Sequence, residues 1–186
     1  STPCGTLFPY TTLFRSGGRD LWLSKTPDVY MSKDWDSAFP RMMSYAELAC
    51  LEDEGRNMCA VVTHLDHIGK EARFHQAKII AEQAGRTRFP SLVMGDFNEE
   101  PEADVHQILT DPAVGLKDTW QQSGGGWGRD SFTSHGFTGI PQKSRIDWIL
   151  ASKEFSVDHV QIIKYQEDGF YPSDHFPYMA DLRLSA

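Results

Sequence analysis

The segment Ser91-Leu92-Val93-Met94-Gly95-Asp96-Phe97-Asn98 places two polar side chains directly after a short apolar run. Its first four residues predict a buried strand that ends at Gly95. Asp96 and Asn98 follow at alternate positions, so their side chains point to the same side of an extended chain. Functional sites of α/β proteins assemble at such strand ends. The segment alone is equally compatible with a turn, because Asp and Asn both favour turns.

Three further segments combine an apolar strand with an acidic residue or a histidine. They are Thr63-His64-Leu65-Asp66-His67, Arg145-Ile146-Asp147-Trp148-Ile149 and Ser173-Asp174-His175-Phe176-Pro177. Taken singly, His64 and His67 are more often structural or surface histidines than catalysts, and Asp174-His175 is compatible with a loop. A carboxylate inside an apolar strand, such as Asp147, either points to solvent or needs a cationic or hydrogen-bonding partner. The four segments together favour a functional site.

The hydropathy pattern predicts an α/β or α+β domain of short strands and two helices. The predicted strands are Leu21–Leu23, Arg41–Leu51, Met58–His64, Ser91–Met94, Arg145–Ala151, Val157–Tyr165 and Phe176–Leu184. The continuously apolar run from Met58 to Val62 predicts a central strand that is covered on both faces. The predicted helices are Lys70–Ala84, capped by Gly85, and a second helix whose first residue is Pro101.

Residues 1–18 show no period and are predicted to be irregular, so the domain is expected to span residues 19–186. The glycine-rich stretch Gln121–Gly128 lacks the Lys-Ser/Thr ending of a P-loop. It is predicted to be a surface segment. With Trp127 and Arg129 it either shapes a pocket for a small ligand or is an ordinary exposed loop.

Composition and charge exclude several classes of protein. The 186 residues carry 18 Lys and Arg against 26 Asp and Glu, a formal net charge of −8 with His neutral. This balance excludes a basic coat that holds nucleic acid non-specifically, so phosphate recognition requires a cation or a local basic patch. No apolar stretch reaches the roughly 18 residues that span a bilayer. The three cysteines are too few and too scattered for a disulfide framework.

In order and spacing, the four segments resemble those of the endonuclease/exonuclease/phosphatase superfamily, which has the deoxyribonuclease-like fold. The stretch from Trp22 through Trp35-Asp36 to Pro40-Arg41 is similar to the bacterial branch of that family. The resemblance extends from about Asp20 to Leu184. It implies a four-layer sandwich in which two mixed β-sheets pack face to face with helices outside. It also implies hydrolysis of phosphoester bonds with a divalent metal.

The resemblance assigns roles to five candidate catalytic residues. Asp96 resembles the aspartate that orients or deprotonates the attacking water, and Asn98 the asparagine that donates to a phosphate oxygen. His175 resembles the histidine that contacts the scissile phosphate. Asp147 resembles the aspartate that holds this ring and favours imidazolium. His64 resembles a second histidine on the leaving-group side.

Two further residues complete the expected site. Arg41 resembles a phosphate-contacting arginine, and Asp174 resembles a carboxylate on the metal side. Such an oxygen-rich set suits Mg²⁺ or Mn²⁺ rather than zinc.

The resemblance fails at the N-terminal end. Family members open with a strand that carries an asparagine and then a strand whose Gln-Glu pair supplies the main metal ligand. Here no Gln-Glu pair lies in the first forty residues, and no acidic residue precedes Asp20. We therefore expect an N-terminally incomplete chain, with the metal on Asp174 helped by Asp96 and waters, and with poor catalysis.

Two functions stay open at this point. The first is a metal-dependent phosphoester hydrolase: a phosphodiesterase, nuclease or phosphatase. The second is a non-catalytic module of the same fold that binds phosphate ligands. The acidic net charge favours a small phosphodiester or sugar phosphate over long nucleic acid as the substrate. No protein partner is predicted. No signal peptide is visible, but the N-terminus looks incomplete, so a cytoplasmic and an exported protein are both open.

Overall fold

The computed structural model describes residues 13–50, 56–142 and 144–185. Within them the strands are β1 (Leu13–Trp22), β2 (Met42–Cys50), β3 (Asn57–His64), β4 (Ser91–Asp96), β5 (Leu116–Asp118), β6 (Asp147–Ser152), β7 (Phe155–Ile162) and β8 (Tyr178–Leu184). The helices are α1 (Lys70–Arg86), α2 (Asp104–Leu109) and α3 (Thr119–Gln122), and a 3₁₀ turn covers Arg129–Ser131. No helix among these residues is long and apolar enough to cross a membrane.

Six strands form a mixed sheet in the order β1-β2-β3-β4-β6-β5. The β3–β4 pair is parallel and the other four pairs are antiparallel. β7 and β8 form a separate antiparallel sheet. The predicted α+β class with two sheets is therefore confirmed.

One face of the six-stranded sheet forms the main apolar core with α1 and α2. In β3, Cys59 and Val61 are buried on this face, whereas Val62 between its neighbours is 51% exposed. The prediction that both faces of this strand are covered is therefore wrong. On the core side the rings of Phe97 and Trp148 stack at 4.5 Å between centroids. This stack joins Phe97, the residue after β4, to Trp148, the second residue of β6.

A buried ion cluster supports the start of β6. Asp118 accepts hydrogen bonds at one carboxylate oxygen from Arg145 Nη2 (2.6 Å) and from His106 Nε2 (2.9 Å). The Trp148 indole N–H donates to the carbonyl of Arg145 at 2.7 Å. All four side chains are at least nine-tenths buried. Because such groups are costly to leave unpaired in the interior, the cluster fixes how the chain enters β6.

Several predicted boundaries differ from the structure. Irregular structure is the wrong expectation for residues 13–18, which lie in β1 and pair with β2. Residues 1–12 lie outside the described residues, and the division of the chain at residue 18 stays a prediction. The helix α1 continues through Gly85 to Arg86, so Gly85 is not its cap. The second helix begins at Asp104 rather than at Pro101.

Gly95 provides a test of the close approach between β3 and β4. Its φ is +144°, and a Cβ atom there would lie 1.9 Å from the Thr63 carbonyl oxygen. We expect Gly95→Ala to lower the free energy of unfolding by about 3 kcal/mol or more, measured by chemical denaturation, because the backbone must move apart. Gly85→Ala is the control, since its Cβ meets nothing within 4 Å. We expect that change to raise stability by up to about 1 kcal/mol. Equal effects of the two changes would contradict the close approach.

Candidate active site

Strand register brings three of the predicted residues to one edge of the six-stranded sheet. His64 is paired with Asp96 across the parallel strands β3 and β4. Asp96 is paired in turn with Asp147 across the antiparallel strands β4 and β6. Directly opposite residues share a face, with Cβ atoms roughly 5 Å apart. The cluster therefore contains His64 at the end of β3, Asp96 at the end of β4 and Asp147 at the start of β6.

His175 joins this cluster through Asp147. Its Nδ1 lies 2.9 Å from Asp147 Oδ2, and both side chains are mostly buried. The hydrogen bond to Asp147 raises the pKa of His175, and it outweighs partial burial, which acts in the opposite direction. The charge on Asp147 and, to a smaller extent, that on Asp96 add to the increase. The site thus favours a protonated imidazolium at His175.

His64 and Asp96 respond in different ways to the same surroundings. His64 Nε2 lies 3.4 Å from Asp96 Oδ2. Partial burial lowers the pKa of His64 and outweighs the attraction of Asp96, so this imidazole tends to be neutral. Burial raises the pKa of Asp96, and the neighbouring carboxylate of Asp147 raises it further. The second effect arises because two adjacent carboxylates repel each other when both are ionised.

Asn98 holds the carboxylate of Asp96 through its backbone. Its amide N–H donates to Asp96 Oδ1 at 2.8 Å, and its side-chain amide donates to the Leu65 carbonyl at 3.1 Å. The φ of Asn98 is +49°, a left-handed conformation that asparagine adopts more readily than most residues. Asn98 therefore links the end of β3 to the end of β4.

Arg41 lies beside the site, directly before β2. A cavity of about 290 Å³ is lined by Arg41 and His64, among other residues. The Nη2 atom of Arg41 lies 3.1 Å from His67 Nδ1, and the Nε atom of Arg41 lies 3.6 Å from Asp66 Oδ2. His67 thus contacts the candidate phosphate-binding arginine, although the sequence favours a structural or surface role for it.

Asp66 is a structural residue that the sequence argument did not single out. It is fully buried and accepts four backbone N–H hydrogen bonds, from Ala38, Phe39, Ile68 and Gly69, at 2.7–3.2 Å. Although burial acts in the opposite direction, these donors hold the pKa of Asp66 well below its usual range. This carboxylate joins the loop before Arg41 to the loop after His64. The only sequence signal is its place in Thr63-His64-Leu65-Asp66-His67.

Asp174, the predicted metal ligand, is exposed and lies next to His175 in the chain. Its backbone carbonyl accepts hydrogen bonds from the His135 N–H (2.8 Å) and the Gly136 N–H (3.0 Å). Its side chain is not part of the group that could hold a metal ion, which consists of Asp96, Asp147 and His175. The role of Asp174 as a metal ligand stays a prediction.

Among the described residues, one group has the geometry to hold a metal ion: Asp96, Asp147 and His175. One ligand atom from each lies within 4.8 Å of the others. The carboxylates fit a divalent cation such as Mg²⁺ or Mn²⁺, which prefers oxygen ligands and relieves the repulsion between two adjacent anions. A cavity of about 300 Å³ opens beside the three residues and gives access to the group. The imidazole fits less well, because the hydrogen bond to Asp147 raises the pKa of His175, and a protonated ring has no free lone pair for a metal ion.

Three solved structures from Bacteroides are similar to this chain. An endonuclease/exonuclease/phosphatase family protein from Bacteroides thetaiotaomicron is 30% identical, with a TM-score of 0.80, over 92% of this chain and 65% of that one. A mannosyl-6-phosphatase from the same organism is 29% identical, with a TM-score of 0.78, over 93% and 68% of the two chains. A family protein from Bacteroides vulgatus is 28% identical, with a TM-score of 0.83, over 94% and 67%.

This chain therefore spans about two thirds of the length of the proteins that it matches. None of the curated proteins is similar enough to count as a match. The sequence profile of the Endonuclease/Exonuclease/phosphatase family matches residues 34–175, a range that includes all seven predicted site residues. By that match and by its fold, the chain belongs to the endonuclease/exonuclease/phosphatase family.

Proposed function

We propose that the protein is a metal-dependent phosphoester hydrolase. The observation that carries the proposal is the His175–Asp147 hydrogen bond beside Asp96 at one edge of the sheet. This arrangement offers a positively charged donor next to a carboxylate acceptor. Hydrolysis of a phosphoester needs both: an acceptor for the proton of the attacking water, and positive charge at the phosphoryl oxygens.

In the proposed mechanism Asp96 accepts a proton from the attacking water. The Asn98 backbone N–H keeps the Asp96 carboxylate oriented. The His175 imidazolium donates to a phosphoryl oxygen and stabilises the charge that develops there. Arg41 adds positive charge on the other side of the site, and neutral His64 lies on the leaving-group side.

A divalent cation held by the carboxylates of Asp96 and Asp147 would supply further neutralisation of phosphoryl charge when it is bound. Asp174 is the second candidate ligand, by family resemblance.

A small phosphoester is the substrate class that we propose. The formal net charge of −8 disfavours long nucleic acid. One similar structure is a mannosyl-6-phosphatase, which supports a sugar phosphate as one such substrate. The alternative function is a non-catalytic module of the same fold that binds phosphate ligands.

The first prediction from this proposal concerns hydrolysis. We expect the protein to hydrolyse bis-p-nitrophenyl phosphate with Mg²⁺ or Mn²⁺, and to lose this activity on chelation. His175→Ala and Asp96→Ala should each lower the rate by about 100-fold or more, since each removes a group that moves or holds a proton. Asp158→Ala is the matched control, because that carboxylate pairs with Arg183 on the surface of the second sheet. A folded protein that binds phosphate but hydrolyses neither this diester nor the monoester p-nitrophenyl phosphate would instead favour the non-catalytic module.

The second prediction concerns the pKa of His175 in metal-free buffer, followed by NMR titration. We expect Asp147→Asn to lower this pKa, because the hydrogen bond to the carboxylate is the largest cause of its increase. The stability due to the protonated ring is fully present below the unfolded pKa of about 6.5. In the wild type this stability is lost as the pH rises through the raised pKa of the folded state. In Asp147→Asn it is lost at a lower pH, because the folded-state pKa is lower there. Asp174→Asn should produce a smaller decrease, because that charge acts only at a distance. A larger decrease in that control would contradict the assigned pair.

The third prediction locates the cation. We expect Asp96→Asn to weaken Mn²⁺ binding, measured by calorimetry, by about tenfold or more. Asp174→Asn should have a smaller effect if the cation lies between Asp96 and Asp147. The opposite order would place the cation at Asp174, as the family resemblance implies.

A further inference from the structure

Thr133 is a fully buried residue that the proposed mechanism does not use. It follows the 3₁₀ turn Arg129–Ser131 by two residues and lies in neither sheet as a strand residue. Burial of a hydroxyl is unfavourable unless the group is hydrogen-bonded, so the partners of Thr133 indicate what it does. Those partners lie in the two segments that carry His175 and Asp147.

The backbone around Thr133 holds the segment that carries His175. The Phe176 N–H donates to the Thr133 carbonyl at 2.7 Å. Two residues after Thr133, the His135 N–H donates to the Asp174 carbonyl at 2.8 Å. These two hydrogen bonds involve the residues directly before and directly after His175, so they fix the backbone from which its ring projects.

The side chain of Thr133 holds the segment that carries Asp147. Its hydroxyl oxygen accepts hydrogen bonds from the backbone N–H groups of Ile146 (3.2 Å) and Asp147 (3.3 Å). The Ile146 carbonyl in turn accepts from the N–H of Phe97, which follows Asp96. Thr133 and Phe97 together therefore fix the backbone at the point where Asp147 begins β6.

The His175–Asp147 pair depends on the distance between these two segments. The paired residues are 28 positions apart in the chain, and their side-chain atoms Nδ1 and Oδ2 are separated by 2.9 Å. An increase of about 1 Å would break this hydrogen bond, because such bonds do not extend much beyond roughly 3.5 Å. Thr133 is hydrogen-bonded to both segments, through its carbonyl to one and through its hydroxyl to the other.

We propose that Thr133 is a positioning residue, which sets the hydrogen bond between His175 and Asp147 for catalysis. This inference rests on the proposed function, because the position of His175 matters to turnover only if this ring acts on the phosphoester. The hydroxyl is the essential group. Valine has nearly the same shape but offers no acceptor, so Thr133→Val leaves two buried N–H groups without this partner, whereas Thr133→Ser keeps it.

The first measurement follows the pair directly and needs no turnover. In metal-free buffer at one fixed pH, NMR of protein isotopically labelled at histidine detects the proton on His175 Nδ1. Its signal is assigned by its absence in His175→Ala. We expect the signal in the wild type and in Thr133→Ser. We expect Thr133→Val to lose it or to shift it upfield, because a longer hydrogen bond to Asp147 leaves the proton less protected from exchange with water.

The second measurement is kinetic and uses p-nitrophenyl phosphate or its diester, whichever the wild type hydrolyses with Mg²⁺ or Mn²⁺. We expect Thr133→Val to lower kcat by about tenfold or more and to change KM by less than about twofold, because misplaced groups fail mainly in the transition state. Thr133→Ser should keep kcat within about threefold of the wild type. In an Asp147→Asn background, Thr133→Val should have little further effect, since the contact that it positions is already lost.

Ser131→Ala is the matched control for loss of a buried hydroxyl in the same part of the chain. Ser131 is 3% exposed, and its hydroxyl donates to the Gly128 carbonyl at 2.7 Å. We expect this change to lower the melting temperature while leaving both the His175 signal and kcat unchanged. If Thr133→Val does not fold, Thr133→Ala makes the same comparison, since it also lacks the hydroxyl and introduces no larger group.

The possible outcomes are distinct. If the wild type hydrolyses either ester and the variants without the hydroxyl keep the His175 signal and kcat, the inference is wrong and the proposed function stands. Equal losses of kcat from Thr133→Val in the wild type and in Asp147→Asn would also contradict it, because Thr133 would then not act through the pair. If the folded wild type hydrolyses neither ester, the proposed function fails, and this role in catalysis fails with it. Loss of signal and kcat in Thr133→Val, with rescue in Thr133→Ser, would support the inference.

Discussion

The side-by-side placement of Asp96 and Asp147 is the constraint on which the rest of the site depends. Their pairing across β4 and β6 puts two carboxylates on one face at the edge of the sheet. The repulsion between them contributes to the raised pKa of Asp96, and Asp147 also stabilises the charged form of His175. Two adjacent anions are unfavourable unless protons or a cation compensate them, so this pair selects positively charged partners.

The interior is built to keep that pairing in place. Phe97 follows Asp96 in the chain and Trp148 follows Asp147, and these two rings stack on each other in the core. The Phe97 N–H also donates to the Ile146 carbonyl at 2.9 Å. Deeper still, the ion cluster of Asp118, Arg145 and His106 fixes the chain just before Asp147. A buried cluster of this kind adds little stability compared with well-packed apolar groups. Its contribution here is to fix where β6 begins.

The sequence predicts the site better than its surroundings, for physical reasons. Polar residues at strand ends stand out, and short apolar strands meet at a common edge, so four segments were enough to place Asp96, Asp147 and His175 near each other. The first part of β1 carries no such pattern, because Gly17 and Gly18 interrupt it and residues 16–20 are mostly exposed. The structural role of Asp66 depends on backbone N–H groups of two loops, which are not visible in the hydropathy pattern. The four-layer arrangement and the site roles came from family resemblance rather than from periodicity.

The two histidines show how one cluster provides two different protonation states. Both face carboxylates, yet the pKa of His175 is raised and that of His64 is lowered. His175 has a 2.9 Å hydrogen bond to Asp147, which raises its pKa more than partial burial lowers it. For His64 partial burial is the largest effect and lowers the pKa; Asp96 lies 3.4 Å away and compensates only in part, and the charges of Arg41 and His175 lower the pKa further. A protonated His175 therefore disfavours a second positive charge at His64. Groups whose environments push their pKa values apart are suited to different roles in proton transfer. The cluster thus has a charged donor on its Asp147 side and a neutral imidazole on its Arg41 side.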